Sequence, residues 1–282
     1  MKRWGAEVAG RIAVLTALAM LAFAGNSILC RLALRDAAID AASFTVIRLV
    51  SGALVLWLIV LIRGGRAAGN WRSALALLAY AAMFSFAYLG LTAATGALLL
   101  FAAVQATMVG VGWWGGERMN GGQCSGLAMA MAGLVVLLLP GLSAPPPASA
   151  ALMVGAGMAW GVYSLRGRGS TDPLGETAGN FARAVPLALP LLAWSVRPAG
   201  LDGVVFAVLS GALASGCGYA VWYAALRGLS ASGAAAVQLS VPVIVAAAGV
   251  LLLGEPLSLR LVLASAAILG GIALVLRAKR PA

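Results

Sequence analysis

The chain has 282 residues, 62% of them hydrophobic and 10% charged, and carries a net charge of +11 without a single histidine. A soluble domain has about a quarter of its residues charged, so this composition excludes an ordinary water-soluble fold. Lipid offers no hydrogen bonds, so such a chain crosses it as helices or as a closed barrel; apolar runs of about 17 to 24 residues, without alternating ten-residue segments, exclude the barrel.

Apolar length and Gly, Pro and charge punctuation predict ten spans, at about 11–33, 43–62, 73–91, 94–115, 122–140, 149–166, 177–196, 203–226, 231–253 and 258–277. Lys2 and Arg3, an apolar run and Ala22-Phe23-Ala24 imitate a cleavable signal peptide. The run continues past Asn26, however, so it is read as the first of many spans. Most connections are short, which makes consecutive helices antiparallel neighbours. The longest irregular stretch, Pro140 to Pro147, divides the chain into five spans and five, giving halves at 1–143 and 144–282.

With the N-terminus in the cytoplasm, that side receives Lys2, Arg3, Arg11, Arg63, Arg66, Arg72, Arg118, Arg166, Arg168, Arg227, Arg277, Lys279 and Arg280. The opposite side receives Arg31, Arg35, Arg197 and Arg260, a bias that places both termini in the cytoplasm of a multi-pass protein. Basic residues flank the spans singly or in small groups, as topological anchors do, so no nucleic-acid partner is expected. Cys30, Cys124 and Cys217 fall in or beside different spans and suggest neither a disulfide framework nor a metal site. They read as small apolar fillers. No cofactor is expected, and the partners are the bilayer and a small-molecule substrate, with the chain a monomer.

Comparing the chain with itself at a shift of 135 to 138 residues aligns the halves in order. Phe23 meets Trp160, Ser27 meets Ser164, Arg48 meets Arg183, and Tyr88 with Leu91 meets Tyr223 with Leu226. Gly96-Ala97 then meets Gly233-Ala234, Gly116-Glu117 meets Gly254-Glu255, and Gly133 meets Gly271. An odd number of spans per half makes the second half enter from the other side. The expected fold is therefore an all-α membrane protein of ten transmembrane helices in two inverted five-helix repeats, the geometry that alternating access requires.

Gly116-Glu117 followed by Gln123, Gly126 and Gly133, and again Gly254-Glu255 followed by Gly271, resemble the closing motif of each half in the drug/metabolite transporter superfamily, of the EamA type. Phe23-Ala24-Gly25-Asn26 resembles the first-span Trp-Gly-x-Asn signature of that superfamily, with Phe for Trp and Ala for Gly, and Arg48 matches its second-span arginine. The likeness covers the whole chain. Within the superfamily the chain resembles the YddG-type aromatic amino-acid exporters, whose members move aromatic amino acids and some flat cations out of bacteria. That resemblance implies export of small metabolites across the bacterial inner membrane, with aromatic amino acids as the first candidates.

A substrate site in such a protein belongs near mid-membrane between the halves. Tyr80, Phe84 and Tyr88 recur every fourth residue on span 3, span 8 offers Tyr219, Trp222 and Tyr223, span 6 offers Trp160 and Tyr163, and span 4 offers Phe101. Such faces can stack on a flat ring or hold a cation. The alternative is an interfacial belt, which suits Tyr88 and Tyr223 near span ends and is the reading for Trp4, Trp71, Trp113 and Trp114. Amides at depth, Asn26, Gln105 and Gln238, either bind the amino or carboxylate group of a zwitterion or tie helices together.

Arg48 and Arg183, about a turn inside their spans, act as gate latches or carboxylate anchors, or snorkel to the headgroups. Pro242 in span 9 permits a bend and is a candidate hinge, as are Pro186 and Pro190 in span 7. Gly157-x-x-x-Gly161 allows close helix packing. All eight acids, Glu7, Asp36, Asp40, Glu117, Asp172, Glu176, Asp202 and Glu255, fall at span ends or in loops. Without a buried proton carrier, facilitated diffusion or exchange is expected.

A multidrug or organic-cation exporter is the nearest competing reading. An intramembrane enzyme lacks support, since the chain has no His-Glu-x-x-His, no Gly-x-Ser-x-Gly and no pair of membrane-embedded aspartates. A non-transporting scaffold or receptor leaves the inverted repeat without a purpose.

Overall fold

Each expected apolar run becomes a helix. The structure, a computed structural model, describes residues 2–36, 38–114, 120–139, 144–167, 170–195, 198–229 and 237–278. Among them the helices are α1 Lys2–Arg35, α2 Ala41–Ile62, α3 Trp71–Ala87, α4 Ala93–Trp114, α5 Gly121–Leu138, α6 Pro147–Arg166, α7 Pro173–Ala188, α8 Leu201–Leu226, α9 Ser240–Leu253 and α10 Leu259–Ala278. Gly116, Glu117, Arg118, Arg168, Arg197, Gly233, Ala234, Lys279 and Arg280, which entered the repeat and charge readings, lie outside the described residues, as do the side chains of Lys2, Arg3, Trp4, Glu7 and Trp113.

Helix ends follow local chemistry. Asp40, Asn70 and Asp172 cap α2, α3 and α7 by accepting from the backbone N–H three residues on. Asn120 and Gln123 form a reciprocal capping box that opens α5. Gly254 closes α9 at φ +63°, a conformation that a side chain would strain. Pro186 within α7 and Pro190 just beyond it each remove a ladder donor, and the α-helix passes into a 3-10 turn over Leu189–Trp194.

The loops sort onto two faces. On one, Arg31 at the end of α1 reaches Tyr88 after α3 and Glu255 after α9, and Gly200 before α8 donates to the Ala38 carbonyl at 2.7 Å. On the other, Ala68 donates to Gly175 at 2.9 Å, Arg166 donates to Ser73 and Asn70, and Asn120 donates to the Ala278 carbonyl at the end of the last helix. The second is called the terminal face below and the first the far face.

Packing pairs interchange when the two halves are exchanged. Helix α1 lies on α8 and α9, and α6 correspondingly on α3 and α4; α2 crosses α7, α4 meets α9, and α5 runs along α10. Small residues set these crossings. A methyl on Gly157 would lie 2.6 Å from the Leu100 carbonyl oxygen, and one on Gly126 2.6 Å from that of Gly271, so α6 on α4 and α5 on α10 approach backbone to backbone. Residues of α1, α3, α4, α6, α7 and α8, with Gln238 just before α9, line a central space.

Candidate functional site

The central space has a wide part and a narrow part. The wide cavity, about 360 Å³, is bounded by Ser73, Gly167, Ser170, Pro173 and Leu226, all at the terminal-face ends of their helices, so it reaches that face. Its inner wall carries Trp160, Tyr163, Tyr219 and Trp222, with Gln105 and Gln238 beside them. The narrow chamber adjoins it, sharing the walls Phe23, Trp160, Tyr219 and Gln238, and adds Asn26, Ser27, Tyr80, Phe84, Leu100 and Phe101 around about 20 Å³. All ten residues proposed from sequence to bind substrate thus line one or other of these two adjoining spaces.

Trp160 joins the aromatic faces. Its ring lies 4.9 Å from that of Tyr80, 5.2 Å from Tyr219 and 5.5 Å from Tyr163, with which it stacks. Phe23, its mate in the other half, meets Tyr219 and Trp222 edge-on at 5.9 and 5.8 Å. These rings come from α1, α3, α6 and α8, and they give the cavity walls that suit a flat apolar group.

Polar groups gather at the inner end. The Asn26 amide donates to the Tyr80 hydroxyl at 3.3 Å, and its carbonyl accepts from Ser210. Arg48 Nη2 donates to the same Tyr80 hydroxyl at 3.0 Å, and Arg48 Nε to the Ser215 hydroxyl at 3.4 Å. Ser210 and Ser215 belong to a π-helical stretch of α8, Ser210–Cys217. A wide turn of this kind is rare and is frequently found at functional sites. Gly211 within it leaves no room for a side chain against the Arg48 carbonyl and the Ser51 hydroxyl.

Several expectations require correction. Arg48 does not snorkel: it is 2% exposed, wrapped by Tyr80 and Phe84. Arg183, its repeat mate, is not equivalent, since it donates to the Ala68 and Gly179 carbonyls and lies against Trp71 at the terminal face. Tyr88 is not a belt residue but fully buried, its hydroxyl donating to the Ala93 carbonyl at 3.3 Å. Pro242 lies in the first turn of α9, just after a turn at Leu239 that separates this helix from the helical residues 237–238, the break expected where a proline cannot donate to the carbonyl of Gln238. Trp71 and Trp114 are exposed, as belt residues are.

Some site residues escaped the sequence reading. Asn180 and Thr177 line the wide cavity from α7, where the Tyr163 hydroxyl donates to Thr177 and Asn180 donates to Tyr163, at 3.4 and 3.5 Å. Glu176, assigned to a span end, also lines that cavity from the first turn of α7. A buried amide so near the expected start of span 7 reads as a cap, which is why Asn180 gave no signal. Cys30 is buried, as a filler is, whereas Cys124 is exposed.

The far face is tied shut. Arg31 Nε meets Glu255 Oε1 at 2.9 Å, Glu255 Oε2 accepts from the Ala93 N–H at 2.7 Å, and Arg35 donates to the Leu253 carbonyl at 2.8 Å. One carboxylate thereby joins α1, the N-terminus of α4 and the end of α9. Asp40 accepts from the Ser43 N–H and from the Ser43 and Ser195 hydroxyls, linking α2 to the end of α7. Partial burial pushes the Asp40 carboxyl up, but these hydrogen bonds outweigh it and hold the group below the usual carboxylate range.

Known proteins agree with this architecture. The model of the EamA-like transporter family matches residues 148–277. An uncharacterized protein of Pseudomonas aeruginosa is 57% identical over 271 residues, 94% of each chain. An uncharacterized transporter of Archaeoglobus fulgidus is 32% identical over 167 residues, 57% of this chain and 59% of its own. A crystal structure 19% identical in sequence superposes with a TM-score of 0.65, covering 95% of this chain and 99% of that one, a likeness of fold.

Proposed function

We propose that this multi-pass helical membrane protein, whose residues 148–277 match the EamA-like transporter family, exports small organic metabolites, foremost aromatic amino acids, across a bacterial inner membrane. The observation that carries this reading is the shape of the central space: a ring-walled cavity reaching the terminal face, ending in Asn26, Tyr80 and Gln238, and sealed from the far face by the Arg31–Glu255 pair. The rings hold the flat side chain of the cargo, and the inner amides and hydroxyls hold its amino and carboxylate groups.

The terminal face is the cytoplasmic one in this reading, so cargo enters from the cytoplasm. Halves 1–143 and 144–282 then exchange roles to open the far face, the interchange of packing pairs supplying two arrangements of similar energy. Glu176, the acid that lines the cavity, stands at its mouth in the first turn of α7 and not between the cavity and the far face. Downhill transport or exchange follows.

Uptake into liposomes holding the purified chain tests the reading: labelled phenylalanine equilibrates down its gradient and is displaced by tryptophan, and a pH gradient alone drives no accumulation. Preference for nucleosides or aliphatic metabolites would reject the assignment. Glu176 among aromatic rings favours a second reading, an exporter of flat organic cations, for which a flat dication outcompetes tryptophan in the same assay.

A further inference from the structure

Arg48 brings a positive charge into the middle of the bundle, and among the described residues no carboxylate answers it. Its neighbours are the Tyr80 and Ser215 hydroxyls and the faces of Tyr80 and Phe84, whose centroids lie 5.2 and 4.9 Å from Cζ. Nη1 is buried and meets no hydrogen-bond acceptor among the described residues. Among the described residues the ion pairs are Arg31 with Glu255 and Arg35 with Asp36, so no carboxylate of the described chain pairs with Arg48. A guanidinium kept out of water by neutral hydroxyls and ring faces is costly, and a membrane-buried charge that the fold does not pair marks a ligand's place.

The geometry says which part of a ligand. Tyr80 and Phe84 both line the narrow chamber, so Arg48 stands one side chain behind its wall, and the Tyr80 hydroxyl is the atom that joins the two. The chamber, about 20 Å³, has room for a small polar group and none for an aromatic ring, which stays in the wide cavity. The rings and amides there are neutral and do not discriminate a carboxylate from its absence.

We infer that Arg48 makes a carboxylate obligatory on the cargo: the carboxylate enters the narrow chamber beside Tyr80 and supplies the missing counter-charge, while the rest of the molecule lies among the rings. This rests on the transport reading for the existence of a cargo, but the charge requirement is independent of aromatic preference. An amine or alcohol of the same shape leaves Arg48 unanswered and binds weakly. The hydrogen bond that the Tyr80 hydroxyl, itself held by Arg48, donates to the carboxylate is charge-assisted, and gaining or losing such a bond at a buried site corresponds to roughly ten- to hundredfold in affinity.

Five probes separate the possibilities, with the shift in thermal midpoint of the purified full chain read against probe concentration: tryptophan, indole-3-propionate, tryptamine, leucine and 3-methylbutylamine. Tryptophan and indole-3-propionate stabilise the protein, and tryptamine needs about ten- to hundredfold more; leucine beats its amine by a similar factor. Arg48→Gln weakens tryptophan by that factor and spares tryptamine, and Arg48→Lys restores part of the difference. Tryptamine matching tryptophan on the unaltered chain overturns the inference, as does an equal loss of both in Arg48→Gln. A carboxylate requirement without advantage for the indole ring upholds it and rejects the aromatic reading. No shift with any of the five rejects both.

Discussion

Two buried donors, Arg48 Nη2 and Asn26 Nδ2, converge on the hydroxyl oxygen of Tyr80 at 3.0 and 3.3 Å. Tyr80→Phe keeps the ring and its contact with Trp160 but leaves both donors without that acceptor, which costs roughly 1–3 kcal/mol. Expected is a lower unfolding midpoint together with weakened substrate binding, measured by thermal denaturation and by competition in liposomes; an unchanged midpoint would show that the bonds to Tyr80 carry no weight. The ring and amide positions were legible in sequence because helical spacing of four and amides at depth are local signals. The fate of Arg48 was not. Whether an arginine a turn inside its span reaches headgroups or turns inward depends on Ser215 and Phe84, brought to it by other helices, and no spacing along α2 encodes that.

Most helix ends were readable to within a few residues, since apolar length and caps such as Asp40, Asn70 and Asn120 are written in the chain, although α1 begins well before the expected residue 11 and α9 begins at Ser240, after a turn inside the expected span 9. Misplacement arose in α7, which starts at Pro173, ahead of the expected 177, because Asp172 caps it and its first turn, with Pro173 and Glu176, does not read as apolar. The π-helical stretch of α8 was also illegible: Ser210–Cys217 is a run of small residues like many others here, and its register answers to Arg48 and Asn26. Helix α5 illustrates the opposite case, in which motif glycines acquire a physical reason. Gly126 faces the Gly271 carbonyl and the Val275 N–H of α10, both backbone groups that cannot step aside. Gly126→Val should therefore separate the two helices and destabilise the protein by about 2 kcal/mol or more, read as a lowered midpoint in detergent. A variant as stable as the parent would mean that α5 and α10 do not pack as closely as described.

At the scale of the molecule, closure of the far face depends on a few polar ties, chief among them Glu255, which serves Arg31 and the N-terminus of α4 together. Glu255→Gln retains the shape but loses the ion pair, so the balance should tilt toward opening at that face. A cysteine placed at Ser27, in the narrow chamber, is then labelled faster by a membrane-impermeant reagent added from the far side; unchanged labelling would assign the ion pair a role in folding alone. The open mouth at the terminal face has a kinetic corollary. A carrier that rests facing one compartment collects solute there without first rearranging, whereas solute arriving from the other compartment waits on a rarely visited form and meets an affinity reduced by that rarity. Inside-out and right-side-out vesicles should consequently differ in half-saturating concentration even though both report on the same pocket.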